Sequence, residues 1–283
     1  MFTRSRISWL RLSAVLAVGL VATAAQAAAP IVDIASPREL SDSDKAEIVD
    51  FVVGNAVFAL YHQAGHMMME RYGIAAGNGE SGADQFATVT LLEPRSGAGD
   101  QTLVDAIDSW HLSSHQTASA NGIDVALPDR HALDGERTDA IICDMVGADP
   151  QGFSDVADAS GLDSAARARC ATSYQTVRSR WTDMLKPLRH VDGQAATTIA
   201  VTYDEPTDGE SVEATILQDN RVLEEVADRL ARDFALPSPP TVRAKSCGAV
   251  TSLYDAAHNE LVLCYELSAY HSDLIIRDIE NRN

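Results

Sequence analysis

A long stretch of the chain carries apolar residues at the spacing of a single helix. Between Ser41 and Tyr72 the apolar side chains recur every three or four positions, which is the period of an α-helix. They are Val49, Val52, Val53, Ala56, Val57, Leu60 and Tyr61. Asp44 followed by Glu47 is typical of a capping box, and Gly73 is a natural stop. A helix of this length measures about 45 Å, so we expect it to cross the core.

The remaining pattern predicts further helices and then strands. After the glycines at 77 and 79, a second helix is expected from about Glu80 to Leu92, with others near 101–113, 133–146, 151–158, 164–186 and 216–233. Residues 193–204 have the pattern of a strand, and short strands are predicted at Thr241–Ala244, Val250–Tyr254 and Glu260–Cys264. The order predicts an α+β fold, mostly helical, with a small C-terminal antiparallel strand block.

The first 27 residues have the three-part pattern of a secretory signal peptide. Three arginines without any acid precede the apolar run Leu12–Val21, and small residues end in Ala25-Gln26-Ala27. We therefore expect residues 28–283 to form a single exported domain, periplasmic or secreted. No later apolar run is long enough to span a bilayer, so no transmembrane segment is expected after cleavage.

The charge balance excludes one class of partner. The chain has 22 basic and 41 acidic residues, a net charge of −19, and removal of the signal peptide's three arginines would take it to −22. A chain this acidic lacks the positive surface that binds phosphates, so nucleic acid is not expected as a partner.

The cysteine count agrees with export. Cys143, Cys170, Cys247 and Cys264 form an even set, as is usual in an oxidising compartment, and none of them has C-x-x-C spacing. Three pairings are possible. The local one, Cys143–Cys170 with Cys247–Cys264, would close each loop within one structural region.

The candidate chemistry lies in the long helix and just after it. His62 and His66 are four residues apart and therefore share one helix face, where both imidazoles can reach one metal ion. Glu80 and Asp84 repeat this spacing at the start of the next helix. Two histidines and a carboxylate form the protein part of a catalytic zinc site, and a further carboxylate can orient a ligating histidine. The alternative interpretation of His62 and His66 is that they are buried histidines satisfied by hydrogen bonds. The alternative for Asp84 is an acid on the helix surface.

The chain resembles a bacterial family of exported zinc metallopeptidases catalogued as a domain of unknown function. The likeness rests on the run from Phe51 to His62, on His66, and on the E-x-x-A-D segment from Glu80 to Asp84. It extends to His131–Arg137, to Arg180-Trp181, and to the segments around Cys247 and Cys264. The resemblance implies a zincin-like domain in which His62, His66 and Glu80 bind Zn2+, and a peptide or protein as substrate or ligand.

Gln63 departs from that family. Zincin helices carry H-E-x-x-H, in which the glutamate is the general base, and a carboxamide cannot take up the proton. We expect zinc binding to be retained and peptide hydrolysis to be impaired. The alternatives are a non-enzymatic zinc- or peptide-binding envelope protein, another group that supplies the base, or a glutamine introduced artificially. His131 is a candidate for stabilising an oxyanion, or else a helix-start residue paired with Asp134.

Overall fold

The computed structural model describes residues 34, 36, 39–77, 79–116, 130–191, 197–207 and 209–282, except for the side chains of residues 115–116 and 130–134. The predicted signal peptide, residues 1–27, lies outside these residues. The helices are α1 (Asp42–Tyr72), α2 (Gly79–Leu92), α3 (Gly97–Gln116), α4 (Arg130–Ala148), α5 (Ser154–Ala159), α6 (Ser164–Leu185), α7 (Ser211–Asp219), α8 (Val222–Asp233) and α9 (Tyr265–Asn281). The strands are β1 (Ala200–Tyr203), β2 (Thr241–Lys245), β3 (Ser252–Asp255) and β4 (Glu260–Cys264). The predicted α+β fold, mostly helical, is confirmed.

Helix α1 is the central element of the fold. Ser41 caps its N-terminus and forms a capping box with Asp44, so the box begins three residues before the predicted Asp44–Glu47 pair. Gly73 ends the helix in the left-handed conformation with φ 68°, as the sequence predicts. From Leu60 to Gly65 every residue is buried, because α2, α3, α9 and strands β3 and β4 all pack around the helix.

Two helical predictions differ from the structure. The expected helix at 216–233 is two helices, because Arg221 between α7 and α8 has a φ of 52°, which an α-helix does not allow. Helix α9 was not predicted, since it follows β4 directly with no turn residue between them. Its side chains Leu274, Ile275 and Ile279 pack with Ile48, Phe51 and Val52 in a second apolar cluster.

The prediction of a purely antiparallel strand block is wrong. The four described strands form one mixed sheet in the order β1-β2-β4-β3. Only β3 and β4 are antiparallel, whereas β2 is parallel to both β1 and β4. The physical reason is the connectivity of the strands. Helices α7 and α8 form the crossover that a parallel β1–β2 pair requires. Strand β3 lies at the outer edge of the sheet, so β4, which is antiparallel to β3, lies between β3 and β2 and runs parallel to β2. Of the predicted strand at 193–204 only Ala200–Tyr203 is a strand, and residues 192–196 lie outside the description.

Both disulfides have the local pairing. Cys143–Cys170 joins α4 to α6, and Cys247–Cys264 joins the segment after β2 to the end of β4. Such bonds stabilise a fold mainly by restricting the unfolded chain. None of the helices in the described part of the chain is both long and apolar enough to cross a membrane.

The backbones of α1 and α2 touch at Gly65. A Cβ atom at this position would lie 2.7 Å from Ala83 Cα and 3.0 Å from Ala83 O, closer than carbon atoms pack. Glycine is therefore required where the two helices cross. Because Gly65 adjoins His66 and Ala83 adjoins Asp84, this contact brings the predicted ligand residues of the two helices together.

Gly65→Ala should therefore lower the free energy of unfolding by about 1–3 kcal/mol, since the added methyl group overpacks the helix contact. Gly135→Ala is the matched control: it also lies within a helix, but its Cβ would meet nothing within 4 Å. There alanine should stabilise the chain by about 0.5–1 kcal/mol. Urea unfolding with chelator present measures both changes. Equal effects of the two substitutions would contradict a close contact at Gly65.

Candidate metal centre

The structure brings His62, His66 and Glu80 together. The two histidines project from adjacent turns of α1, and Glu80 lies in the first turn of α2. Their Nε2 atoms are 3.1 Å apart, His62 Nε2 is 3.3 Å from Glu80 Oε2, and His66 Nε2 is 3.3 Å from Glu80 Oε1. One potential ligand atom from each residue lies within 4.8 Å of the others, so this group could hold a metal ion.

Asp84 orients the first histidine. Its Oδ1 atom is 2.8 Å from His62 Nδ1, and both side chains are buried. When Nδ1 carries the proton and donates to this carboxylate, Nε2 is left with a lone pair that points toward Glu80. This is the tautomer that a ligating histidine needs, and the contact is the one expected of a carboxylate that orients such a histidine.

Arg137 on α4 completes the network and was not anticipated from the sequence as a site residue. Its Nε and Nη2 atoms donate to Asp84 Oδ2 and Oδ1 at 2.7 and 2.8 Å. Its guanidinium also lies 4.7 Å from the ring centroid of Trp110 on α3. Four helices therefore meet at this site. Only the occurrence of Arg137 within the family-like stretch 131–137 pointed toward it.

The acids of the site remain ionised at neutral pH. Hydrogen bonds with His62 and His66 hold the pKa of Glu80 far below its usual range. Burial raises the pKa of Asp84, but hydrogen bonds with His62 and Arg137 outweigh it and the pKa is lowered. For His62, burial acts to lower the pKa, but hydrogen bonds with Asp84 and Glu80 outweigh burial and the pKa is raised. The Glu80 carboxylate is therefore ionised beside the Nε2 atoms of both histidines, an arrangement that suits a cation once the imidazoles are neutral.

Gln63 points toward the sheet. Its Nε2 atom donates to Ser252 O and Ser252 Oγ at 3.2 and 3.1 Å, and its side chain is buried. Ser252 begins β3, the edge strand of the sheet. The amide is therefore anchored to the strand that borders the site, a contact across 189 residues of sequence.

A cavity of about 700 Å³ lies beside the metal group. Helix α1 lines it from Asn55 to Gln63, and the segment Val250–Ser252 forms another wall. Four acids line it, namely Glu80, Asp84, Glu136 and Asp144. The cavity is large enough for a peptide segment of a few residues, and its charged lining consists of these four acids and Arg137 beside the histidines.

Two other predicted or possible features need separate mention. His131 lies in the first turn of α4, but its side chain is outside the described residues, so the oxyanion role stays a prediction. A second group within metal-binding distance, Cys247, Cys264 and Glu266, does not resemble a metal site, because its two sulfur atoms form a disulfide. The Glu266 carboxylate accepts hydrogen bonds from the backbone N–H groups of Cys247 and Gly248.

Comparison with protein families finds a match over most of the chain. A family model described as "Putative metallopeptidase" matches residues 32–185 and 203–282, which include every residue of the candidate metal centre. No curated protein and no solved structure matches the chain.

Asp84→Asn should weaken metal binding by about 10- to 100-fold, because the neutral amide no longer fixes the tautomer of His62 or pairs with Arg137. Asp139→Asn is the control, since Asp139 is an exposed acid on α4. Competition with a chromophoric chelator measures the dissociation constant for Zn2+. An unchanged affinity in Asp84→Asn would show that this contact does not orient a ligand.

Proposed function

The chain belongs to the DUF4344 family, described as "Putative metallopeptidase", and on this premise we propose that it is an exported zinc metallopeptidase homologue with impaired peptide hydrolysis. The observation that carries the proposal is the convergence of His62, His66 and Glu80, with Asp84 behind the first histidine. Gln63 is the reason for proposing impairment rather than full activity.

The donor set supports zinc as the ion. Zinc binds histidine nitrogen and carboxylate oxygen at about 2.0–2.2 Å, which places neighbouring corners of a tetrahedron about 3.3–3.6 Å apart. The two nitrogens lie 3.1 Å apart, and each lies 3.3 Å from a Glu80 oxygen. We therefore assign His62, His66 and Glu80 as the ligands. Three protein ligands leave a fourth position for a reactant, as in catalytic zinc sites.

The chemistry that zinc supplies when bound is Lewis-acid activation of water and of a peptide carbonyl. The protein must supply the group that takes the proton, and the glutamate of H-E-x-x-H has this role in zincins. Gln63 has no usable protonation step, and its amide nitrogen is committed to Ser252. Loss of a general base costs about 10²–10⁴ in rate.

Gln63→Glu should increase cleavage of a fluorogenic peptide mixture by about 10²–10⁴-fold, because it restores a general base. The variant should fold. Ser252 Oγ can donate to the new carboxylate, and Ser252 O still accepts a hydrogen bond from Thr251 Oγ1 at 3.0 Å. Cleavage is measured beside the zinc content of the same preparations, which should be one ion per chain in both.

Gln175→Glu is the matched control, since it makes the same change on the exposed face of α6 and should leave cleavage unaltered. Robust cleavage by the wild-type chain that Gln63→Glu does not increase would overturn the proposal of impairment. Absence of zinc from both chains would overturn the ligand assignment.

A second candidate function is peptide binding without hydrolysis. It is favoured by the acidic cavity beside the metal group and by edge strand β3 along its wall, since an edge strand can pair with an extended peptide. If this is the function, the wild-type and Gln63→Glu chains should both contain zinc and neither should cleave the peptides. The zinc-loaded protein should nevertheless retain the peptides. Loss of that retention on adding chelator would connect the binding to the metal group.

Export is part of the proposal. The two disulfides are compatible with an oxidising compartment such as the periplasm. Cells that express the full chain should export it, and the protein recovered from the periplasm or the medium should begin at Ala28. N-terminal sequencing checks this first residue. A cytoplasmic protein that retains residues 1–27 would contradict export.

A further inference from the structure

One acid in the cavity has no counterion among the described residues. Asp144 lies on α4, is 7% exposed and lines the cavity. No hydrogen bond or ion pair to its carboxylate occurs among the described residues. A buried carboxylate without a partner is costly, because the ionised form loses its water and gains nothing in return. Burial raises the pKa of Asp144 to about 7.

The positions that line the cavity along α4 place Asp144 away from the metal group. Arg137, Ala140, Ile141 and Asp144 all line it, at intervals of three and four residues that define one helix face. Seven residues of helix measure about 10 Å, so Asp144 lies roughly that far along α4 from the arginine that holds Asp84. That distance is comparable to the reach of an extended peptide of two or three residues.

The charges around the cavity identify what the Asp144 carboxylate would bind. Arg137 is the one arginine or lysine among the described residues that line the cavity, and it already donates two hydrogen bonds to Asp84. Glu136 and Asp144 make no ion pair with a described residue. The wall between them includes Ala140 and Ile141, which suits the methylene stem of a long basic side chain.

We propose that Asp144 forms the subsite that recognises a lysine or arginine side chain of the bound peptide. The inference rests on the proposed function, because it names the substrate class of the same cavity. A cationic group would pair with the carboxylate through charge-assisted hydrogen bonds. The subsite would then select basic peptides whether or not the chain cleaves them.

The test compares two series of blocked alanine pentapeptides binding to the full mature chain, with zinc content measured in each preparation. One series carries a single lysine at each position in turn, and the other carries norleucine, which has a side chain of similar length without charge. The tightest lysine peptide should bind about 10- to 100-fold more tightly than its norleucine counterpart, the range expected for a hydrogen bond to a charged group. Isothermal titration measures both.

Asp144→Asn should abolish that difference and leave the affinity of the norleucine peptides unchanged. Asp139→Asn, the same substitution on the exposed face of α4, should keep the full preference for lysine. Equal affinity of both series for the wild-type chain, or binding by neither series up to about 1 mM, would overturn the inference without reference to any variant. A preference for lysine that persists in Asp144→Asn would overturn the assignment of Asp144.

The same measurements separate this inference from the proposed function. A chain without zinc that still prefers lysine through Asp144 would contradict the ligand assignment and support the basic subsite. A chain with one zinc ion that shows no preference for lysine would leave the proposed function intact and remove the subsite.

Discussion

The site depends on the contact between α1 and α2 at Gly65. Any side chain at this position would meet the backbone of Ala83, so the two helices can approach closely only because residue 65 is glycine. His62 and His66 belong to α1, and Glu80 and Asp84 belong to α2. The helical period places the two members of each pair on one face, but the crossing of the helices is needed to bring all four side chains together. Arg137 and Trp110 then fix Asp84 from the opposite side.

The sequence was sufficient for the parts of the site that follow from local spacing. His62 with His66, and Glu80 with Asp84, are each one helical turn apart, and a short turn joins the two helices, so their convergence could be expected. Arg137 lies 53 residues beyond Asp84, and Ser252 lies 189 residues beyond Gln63. No local pattern indicates which of many arginines or serines folds back to these positions. The commitment of Gln63 to the edge strand, and the unpartnered state of Asp144, are visible only in the folded chain.

The fold shows the same division. Periodicity predicted α1, α2 and the strands of the C-terminal block, because each has a clear apolar pattern. It did not predict α9, because the chain passes from β4 into that helix without a turn residue that would mark the change. The predicted antiparallel direction was also wrong for β2, which is parallel to β1 and β4. Strand alternation reports which side chains face the core, and it carries no information on which neighbouring strand will pair or in which direction.

The acidic residues of the cavity differ in what neutralises them, and this difference separates two roles. Asp84 is matched by Arg137 and His62 within the protein, as expected of a residue that positions a ligand. Glu80 faces two histidines and is matched by the cation that we propose they share. Asp144 meets no cation among the described residues, and we propose that a cationic ligand supplies its partner. Gln63 removes a proton acceptor without disturbing this arrangement. In the function that we propose, recognition of a basic peptide does not require the general base, so the chain would retain peptide binding where hydrolysis is impaired.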